Sequence, residues 1–339
     1  MSKKDLLAAL FFYTGILKIV GVWGRLFKNS AIILAYHRVL PEWDEQYPGD
    51  LELISASTGD FDWQMSYLKK HFNICSFPQL SRMSHDKEGH GGAVIVTFDD
   101  GFVDNYEHAL PVLQKYQLPA TIFVTVGYIG QDKTFWFERI SEQLKILQNQ
   151  VIHFPMLELR LDLNGGYDAY NLAFTQLLEV LKSVPDSVRL EAIEYLNLLT
   201  DKSSLKVDNI SRALTWAELK ALRDSNVSIE PHTYTHPALS NCSADELRYE
   251  LAESKLEIEE HLGGECKFFS YPFGGEDSCN PKILSELENT GYEFACTYTP
   301  AGGNILGDLK PYQLMRIHVE RYTTKARFVA SLVLPKVFN

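Results

Sequence analysis

Two pairs of polar residues in this sequence have the types and the spacing for chemistry. Asp99 and Asp100 end one predicted apolar strand, and His232 and His236 follow another. Two adjacent carboxylates at the end of a buried strand are costly unless they are paired, hydrogen-bonded or bound to a metal. An aspartate that caps a helix would account for one carboxylate of the pair, but not for both.

The spacing of His232 and His236 favours a metal site. On a helical turn, residues four positions apart lie on one face, and neutral imidazole is a common ligand of zinc. Two hydrogen-bonded histidines near a helix start are the alternative. The two histidines and one of the two aspartates would supply three protein ligands and leave an open position for water, as in catalytic zinc sites. Such a metal would acidify the water and polarise a carbonyl, while the second carboxylate acts as general base.

The elements that must position these residues alternate between strand and helix. Short apolar runs predict strands at 32–37, 93–98, 120–126, 227–230, 268–271, 294–297 and 314–319. Thr215 with Glu218 and Ser243 with Glu246 form capping boxes, which predict the starts of two of the intervening helices. The order strand, loop, helix, strand indicates a parallel sheet.

The polar motifs all follow the carboxyl ends of predicted strands. This holds for Asp99, Asp100, His232 and the turn Pro272-Phe273-Gly274. In α/β barrels chemistry is built at that end, so side chains from separate strands can meet there. Residues 134–215 break the alternation with mostly helical patterns, and we interpret them as a helical insertion.

Composition narrows the class of function. The chain has 339 residues, a formal net charge of −12 and no basic stripe, which disfavours a nucleic-acid partner and suits a neutral substrate. Its five cysteines are scattered and odd in number, so we expect mostly free thiols of a reducing compartment rather than a disulfide framework.

The N-terminal segment, residues 1–30, is apolar or amphipathic and is predicted to be helical. Its apolar stretch, residues 6–23, is just long enough to span a bilayer. An interfacial or packed helix is favoured over an uncleaved anchor or a cleaved signal, because Lys18 interrupts the stretch and no small-residue cleavage site follows it. We therefore expect membrane association through residues 6–23, and a bacterial-type cytoplasmic or membrane-associated location rather than secretion.

The motifs together resemble the NodB-type polysaccharide deacetylases, carbohydrate esterase family 4. Thr97-Phe98-Asp99-Asp100-Gly101 matches the first motif of that family, and His232-Thr-x-x-His236 matches the second, in the same order. The resemblance covers residues 32–127 and 215–320. It implies that residues 31–330 form a distorted (β/α) barrel, often of seven strands, with the mainly helical insertion. It also implies metal-dependent removal of an N-acetyl group from a carbohydrate.

The resemblance assigns roles by position. Asp99 would be the general base, and Asp100, His232 and His236 would hold a divalent metal, with Zn²⁺ favoured over other transition metals. The backbone N–H of Phe273 would stabilise the oxyanion. The rings of Tyr271 and Phe273 would line a sugar groove, or would simply pack in the core.

This chain departs from the family in its third motif and in its fourth, an Asp and Trp cluster that the sequence does not show. Ser270 stands where the third motif normally has an arginine that orients the catalytic aspartate, and we hypothesise that Arg316 takes that role. The general acid is also unassigned. His318 lies in the region of the family's fifth motif, and His37 ends another predicted strand. Each could instead be a hydrogen-bonded structural histidine.

Other functions stay open from the sequence. A related hydrolase could act on an O-acetyl ester or a formamido sugar, and a non-catalytic carbohydrate-binding relative could keep the fold. The intact Asp99, Asp100, His232 and His236 argue against the last of these. The helix 243–262 carries a row of glutamates that could bind a cation, but a solvated face is favoured; they are Glu246, Glu250, Glu253, Glu257 and Glu260.

Overall fold

The computed structural model describes residues 2–17, 19, 30–42, 47, 49–85, 92–200, 211–300 and 303–339. The strands are β1 Ser30–Tyr36, β2 Arg38–Leu40, β3 Ile54–Ser57, β4 Asn73–Ile74, β5 Ala93–Phe98, β6 Ala120–Val124, β7 Val151–Phe154, β8 Leu159–Asp162, β9 Val227–Pro231, β10 Phe268–Ser270, β11 Phe294–Pro300, β12 Asn304–Ile305 and β13 Leu314–His318. The α-helices are α1 Lys3–Tyr13, α2 Thr58–His71, α3 Phe77–His85, α4 Leu110–Tyr116, α5 Trp136–Ile146, α6 Gly166–Ser183, α7 Asp186–Leu199, α8 Trp216–Asp224, α9 Ala244–Leu262, α10 Pro281–Thr290, α11 Lys325–Val333 and α12 Pro335–Phe338.

Seven strands form a parallel path in the order β10, β11, β13, β1, β5, β6, β9. Short β4 pairs with β5, and β12 runs antiparallel to β1. The strands are apolar on both faces because both are covered: every residue of β5 is buried. Ile33, Ile95 and Phe123 pack inside the barrel, and Leu34 and Val96 pack outward. This confirms the predicted distorted barrel of seven strands.

A side chain bridges the two ends of the path, β9 and β10. Oε2 of Glu230 accepts hydrogen bonds from the backbone N–H groups of Lys267, at 3.1 Å, and Phe268, at 3.0 Å. Burial raises the pKa of Glu230 to about 8, although these two hydrogen bonds favour the ionised form. The side chain of Glu230 thus supplies the acceptor that a neighbouring strand would supply, where β9 and β10 leave the barrel open, next to the loop that carries His232.

The insertion between β6 and β9 contains α5, α6 and α7, as its helical patterns predicted. It also contains an antiparallel hairpin, β7 with β8, which we did not predict. In β7 the exposed Val151 and His153 alternate with the buried Ile152 and Phe154. This period of two is the strand signal, but it spans only four residues and stands among longer helical patterns.

The N-terminal helix α1 packs on the C-terminal helices. Ala8 is buried against Val329 and Phe338, whereas Leu10 and Tyr13 are exposed. Among the described residues, no helix has the length and apolar composition to cross a bilayer. Of the stretch 6–23, residues 18 and 20–23 lie outside the described residues, and its membrane association stays a prediction. All five cysteines are free.

Candidate metal and catalytic site

Three donor groups meet where β5 and β9 end. Oδ1 of Asp100 lies 3.6 Å from Nε2 of His232 and 3.3 Å from Nε2 of His236. One potential ligand atom from each residue lies within 4.8 Å of the others, and all three side chains are buried. Neither carboxylate oxygen of Asp100 accepts a hydrogen bond from a described residue. A buried carboxylate that accepts no hydrogen bond can be neutralised by a bound cation, so the arrangement suits a metal.

The hydrogen bond of His232 leaves one ring nitrogen for that cation. Nδ1 lies 2.7 Å from the carbonyl oxygen of Ser270, to which it donates, so Nε2 carries the lone pair. Burial lowers the pKa of His232 to about 4, which keeps the imidazole neutral at neutral pH. Burial also raises the pKa of Asp100, but the neighbouring imidazoles, His236 foremost, outweigh it and keep the net pKa below the ordinary value. Neutral imidazole and ionised carboxylate are the forms that bind metal.

The two histidines do not lie on a helical turn, so that prediction was wrong. Thr233 and His236 have positive φ angles of 69° and 62°, which an α-helix excludes. The backbone N–H of His236 donates to Oγ1 of Thr233 at 3.0 Å, closing a compact loop. The loop itself brings both rings to Asp100, whose own φ of 73° turns the chain sharply after β5.

Glu250 of α9 stabilises this loop through hydrogen bonds. Its carboxylate accepts hydrogen bonds from the backbone N–H of Tyr234 at 2.7 Å, from that of Thr235 at 2.9 Å and from Oγ1 of Thr235 at 2.7 Å. Glu250 is only 5% exposed, so it belongs neither to a solvated face nor to a cation-binding one. Sequence reasoning missed this role, although position 250 shares the buried face of α9 with Leu247, Leu251 and Ser254.

Asp99 is fully partnered, in contrast to Asp100. Arg316 binds it with two parallel hydrogen bonds, from Nη1 to Oδ1 at 2.8 Å and from Nη2 to Oδ2 at 2.6 Å. Burial raises the pKa of Asp99, but the guanidinium outweighs burial and holds it well below its usual range. Nη2 of Arg316 also donates to Oγ of Ser270 at 2.9 Å, and its Nε donates to the carbonyl of Thr297 at 3.0 Å. The structure thus places Arg316 against the predicted base, across from the serine that replaces the family's arginine.

The turn after β10 presents a free backbone donor. Phe273 has a φ of 60°, and its N–H donates to no described residue. A Cβ at Gly274 would collide with the backbone of Tyr298, so glycine is required for this close approach. The Phe273 ring lies 4.8 Å from the ring of His236, between centroids. The oxyanion role of this N–H stays a prediction.

Tyr271 does not line a groove. Its side chain is buried beside Phe269, and its hydroxyl donates to the carbonyl of Tyr312 at 2.8 Å. Packing in the core, the alternative considered for this residue, describes its position, because a buried and hydrogen-bonded ring presents no face to a sugar.

The two candidate acids flank one aromatic ring. The ring of His318 stacks on Tyr298 with centroids 3.5 Å apart, and the ring of His37 lies 5.6 Å from Tyr298. Burial and the guanidinium of Arg316 lower the pKa of His318 to about 3, so this imidazole is neutral at neutral pH. His37 is half-buried, and Nδ2 of Asn105 fixes its carbonyl at 2.8 Å. The low pKa makes His318 a poor proton donor at neutral pH, and His37 stays the other candidate.

Comparison with known proteins finds relatives of this chain. A family model described as polysaccharide deacetylase matches residues 86–157 and 166–295, more than half of the chain. The YxkH protein of Bacillus subtilis is 23% identical over 237 residues, or 70% of this chain and 55% of that protein. A poly-β-1,6-N-acetyl-D-glucosamine N-deacetylase of Staphylococcus aureus is 32% identical over 126 residues, or 34% of this chain and 43% of that protein. The chain thus spans about half the length of these curated relatives.

Solved structures share the fold. The Streptococcus pyogenes deacetylase PplD, solved with acetate, superposes with a TM-score of 0.56 at 19% identity, over 88% of this chain and 95% of PplD. IcaB from Ammonifex degensii gives a TM-score of 0.55 at 20% identity, over 90% of this chain and 97% of IcaB. At such identities the likeness concerns the barrel, and the chemistry has to be argued from the site.

Proposed function

This chain belongs to the polysaccharide deacetylase family, and from that premise we propose that it hydrolyses N-acetyl groups of a carbohydrate. One observation carries the proposal. Asp99, with both oxygens bound by Arg316, adjoins Asp100, whose oxygens have no hydrogen-bond donor among the described residues. The first carboxylate suits a fixed base, and the second suits a metal ligand.

Asp100, His232 and His236 would hold the metal. Two imidazoles and one carboxylate form a donor set that catalytic zinc uses, so Zn²⁺ is the first ion to test, before other divalent transition metals. When bound, such an ion acidifies water and polarises the acyl oxygen. The hydrogen bond from His232 to the carbonyl of Ser270 orients the imidazole for that role.

Asp99 would accept the proton of the attacking water. Arg316 keeps the carboxylate ionised and prevents its rotation through two charge-assisted hydrogen bonds. A base that is already ionised and aimed needs no reorganisation when the proton arrives. The proton taken from the water would then stay on Asp99 until the amine leaves.

Two further groups would complete the reaction. The backbone N–H of Phe273 would donate to the developing oxyanion, since it has no other described acceptor. His37 would donate a proton to the leaving amine, because the burial and the cationic neighbour that deprotonate His318 make that histidine a poor acid.

The substrate we propose is a glycan that contains N-acetylhexosamine. The name of the Staphylococcus aureus relative, a deacetylase of poly-β-1,6-N-acetyl-D-glucosamine, supports this class. The net charge of −12 agrees with it, because an N-acetylated glycan is neutral and an acidic protein does not repel it.

Acetate release tests the proposal. The purified protein, analysed for bound metal, is incubated with N-acetylglucosamine oligosaccharides of several linkages. We expect the wild type to release acetate and Asp99→Asn to lose this activity while keeping its metal. Asp245→Asn is the matched control, because the side chain of Asp245 is 95% exposed. Metal-loaded wild-type protein that releases no acetate from any of these substrates would count against the proposed function.

A further inference from the structure

A cavity of about 380 Å³ lies between helix α6 of the insertion and two segments from the active end of the barrel. The segment 49–52, between β2 and β3, forms one wall. Arg321, three residues beyond β13, forms another. The volume falls within the range of roughly 300–1,000 Å³ that is usual for small-molecule sites. The cavity therefore opens at the barrel end where parallel strands deliver Asp99 and Asp100.

Lys182 connects this cavity to the site. It lines the cavity from the C-terminal turn of α6, and its Nζ lies 5.3 Å from the centroid of the Phe273 ring. The same ring lies 4.8 Å from the ring of His236. A ligand in the cavity would thus be separated from the candidate metal ligands by one lysine and one phenylalanine.

One face of α6 presents groups that suit a sugar. Tyr167, Asn171 and Thr175 are spaced by four residues, so they lie in one row toward the cavity. Tyr167 is 39% exposed, and its ring can stack on the apolar face of a pyranose. The Asn171 amide and the Thr175 hydroxyl form no hydrogen bond with another described residue, so donors and acceptors remain for hydroxyl groups.

The charges around the cavity balance. Nζ of Lys182 pairs with Glu179 at 3.1 Å, and Nη2 of Arg321 pairs with Glu52 at 2.7 Å. Lys145 and Asp50 add one further charge of each sign. A lining without net charge does not select a polyanion, whereas paired donors and acceptors around an aromatic ring match a neutral polyhydroxyl ligand. Nη1 of Arg321, buried and without a described partner, adds one more donor.

We propose that this cavity binds uncharged N-acetylhexosamine units that flank the reacting unit of the same glycan. The proposal rests on the proposed function, because it extends that substrate along the insertion. It makes the enzyme selective for oligosaccharides over single sugars, with Tyr167 and Asn171 as specificity-determining residues.

Substrate length tests the cavity. We expect kcat/KM of the wild type to rise from the N-acetylglucosamine monomer to the pentamer. Tyr167→Ala and Asn171→Ala should each lower kcat/KM for the pentamer by roughly three- to tenfold, the loss of one stacking or polar contact, through KM rather than kcat. Neither should change the monomer. Gln176→Ala, an exposed change on α6 outside the lining, and Tyr13→Ala, an exposed tyrosine on α1, are the matched controls.

Direct binding separates the two proposals. Calorimetry of the pentamer on wild-type, Tyr167→Ala and Asn171→Ala proteins needs no turnover, so it tests the cavity even if acetate release fails. A Kd that rises about three- to tenfold in both variants and not in the controls supports the cavity. Equal Kd values in all five proteins, or equal losses for monomer and pentamer, would overturn it whatever the acetate assay shows.

Discussion

Asp99 and Asp100 are adjacent, equally buried and differently surrounded. The anchored side of the site, which we define as Asp99, Arg316 and Ser270, satisfies its carboxylate with a buried guanidinium. The open side, defined as Asp100, His232 and His236, leaves both carboxylate oxygens without a described hydrogen-bond donor. The left-handed backbone of Asp100 turns the chain between the two sides.

This difference indicates that Asp100, and not Asp99, is the carboxylate suited to a bound cation. Burying an ion without compensation is costly, so the protein supplies a cation to Asp99 from its own chain. Toward Asp100 it presents the imidazoles of His232 and His236, and burial lowers the pKa of His232 to about 4, which keeps that imidazole neutral at neutral pH. A cation from solution would complete the open side, whereas the anchored side has no need of one.

Breaking the open side should have the largest effect. His236→Gln removes a ligand, so we expect metal content to fall and acetate release to drop by more than roughly the 100-fold that the loss of an outer-shell partner can cause. Metal analysis and the acetate assay measure this change. His153→Gln on the exposed edge of β7 is the control and should match the wild type. Normal activity and normal metal content in this variant would show that His236 is not a metal ligand.

Breaking the anchored side should lower turnover without loss of metal. In Arg316→Met the buried Asp99 loses its partner, so we expect the free energy of unfolding to fall by about 3–5 kcal/mol. Turnover should fall by about 10²-fold, as for the loss of one preorganised electrostatic contact. Arg316→Lys keeps the charge without the paired geometry and should lie between the two proteins. Arg248→Met, at an exposed position, is the control. Unchanged turnover in Arg316→Met would contradict the orienting role.

The pH dependence of activity distinguishes the two histidines beside Tyr298. A general acid must be protonated, so activity falls as pH rises through its pKa. Because the pKa of His318 lies at about 3, it has already lost its proton at neutral pH. We expect His37→Ala to remove the high-pH limb of the kcat/KM profile and to cost about 10²-fold in rate, and His318→Ala to keep the limb. The reverse pattern would assign the acid to His318.

The smallest effect should come from the support of the open side. Glu250→Gln keeps the shape but loses the charge that orders the loop 233–236, so we expect metal affinity to fall by about tenfold. Activity at saturating metal should stay close to that of the wild type. Competition with a chelating dye measures the affinity. Glu260→Gln, exposed on the same helix, should not change it. Equal affinities in both variants would make Glu250 a packing residue only.

Local signals predicted most of the scaffold. The observed bounds of β5, 93–98, are the predicted ones, because this apolar run is followed directly by the polar residues Asp99 and Asp100. The capping boxes of Thr215 with Glu218 and of Ser243 with Glu246 are both present. These features depend on interactions between residues close in the sequence, so a single sequence is enough to predict them.

Contacts between residues distant in the sequence explain the features that the sequence did not predict. Thr233 and His236 adopt left-handed backbone conformations although neither is glycine, and Glu250, distant in sequence, stabilises them. No local pattern announces such a loop, so the helical turn predicted there was wrong. Arg316 was hypothesised as the partner of Asp99 from its place in the last predicted strand, and only the fold brings the two side chains together.

We propose that the open side binds a cation and that the anchored side does not. Calorimetric titration of Zn²⁺ into metal-free wild-type, Asp99→Asn and Asp100→Asn proteins tests it most directly, because the two substitutions are identical in kind and adjacent in sequence. We predict one equivalent of tightly bound Zn²⁺ in the wild type and in Asp99→Asn, and binding weaker by at least about 10–100-fold in Asp100→Asn. Equal binding by all three proteins, or loss of binding in Asp99→Asn alone, would show that Asp100 is not the metal ligand of this pair.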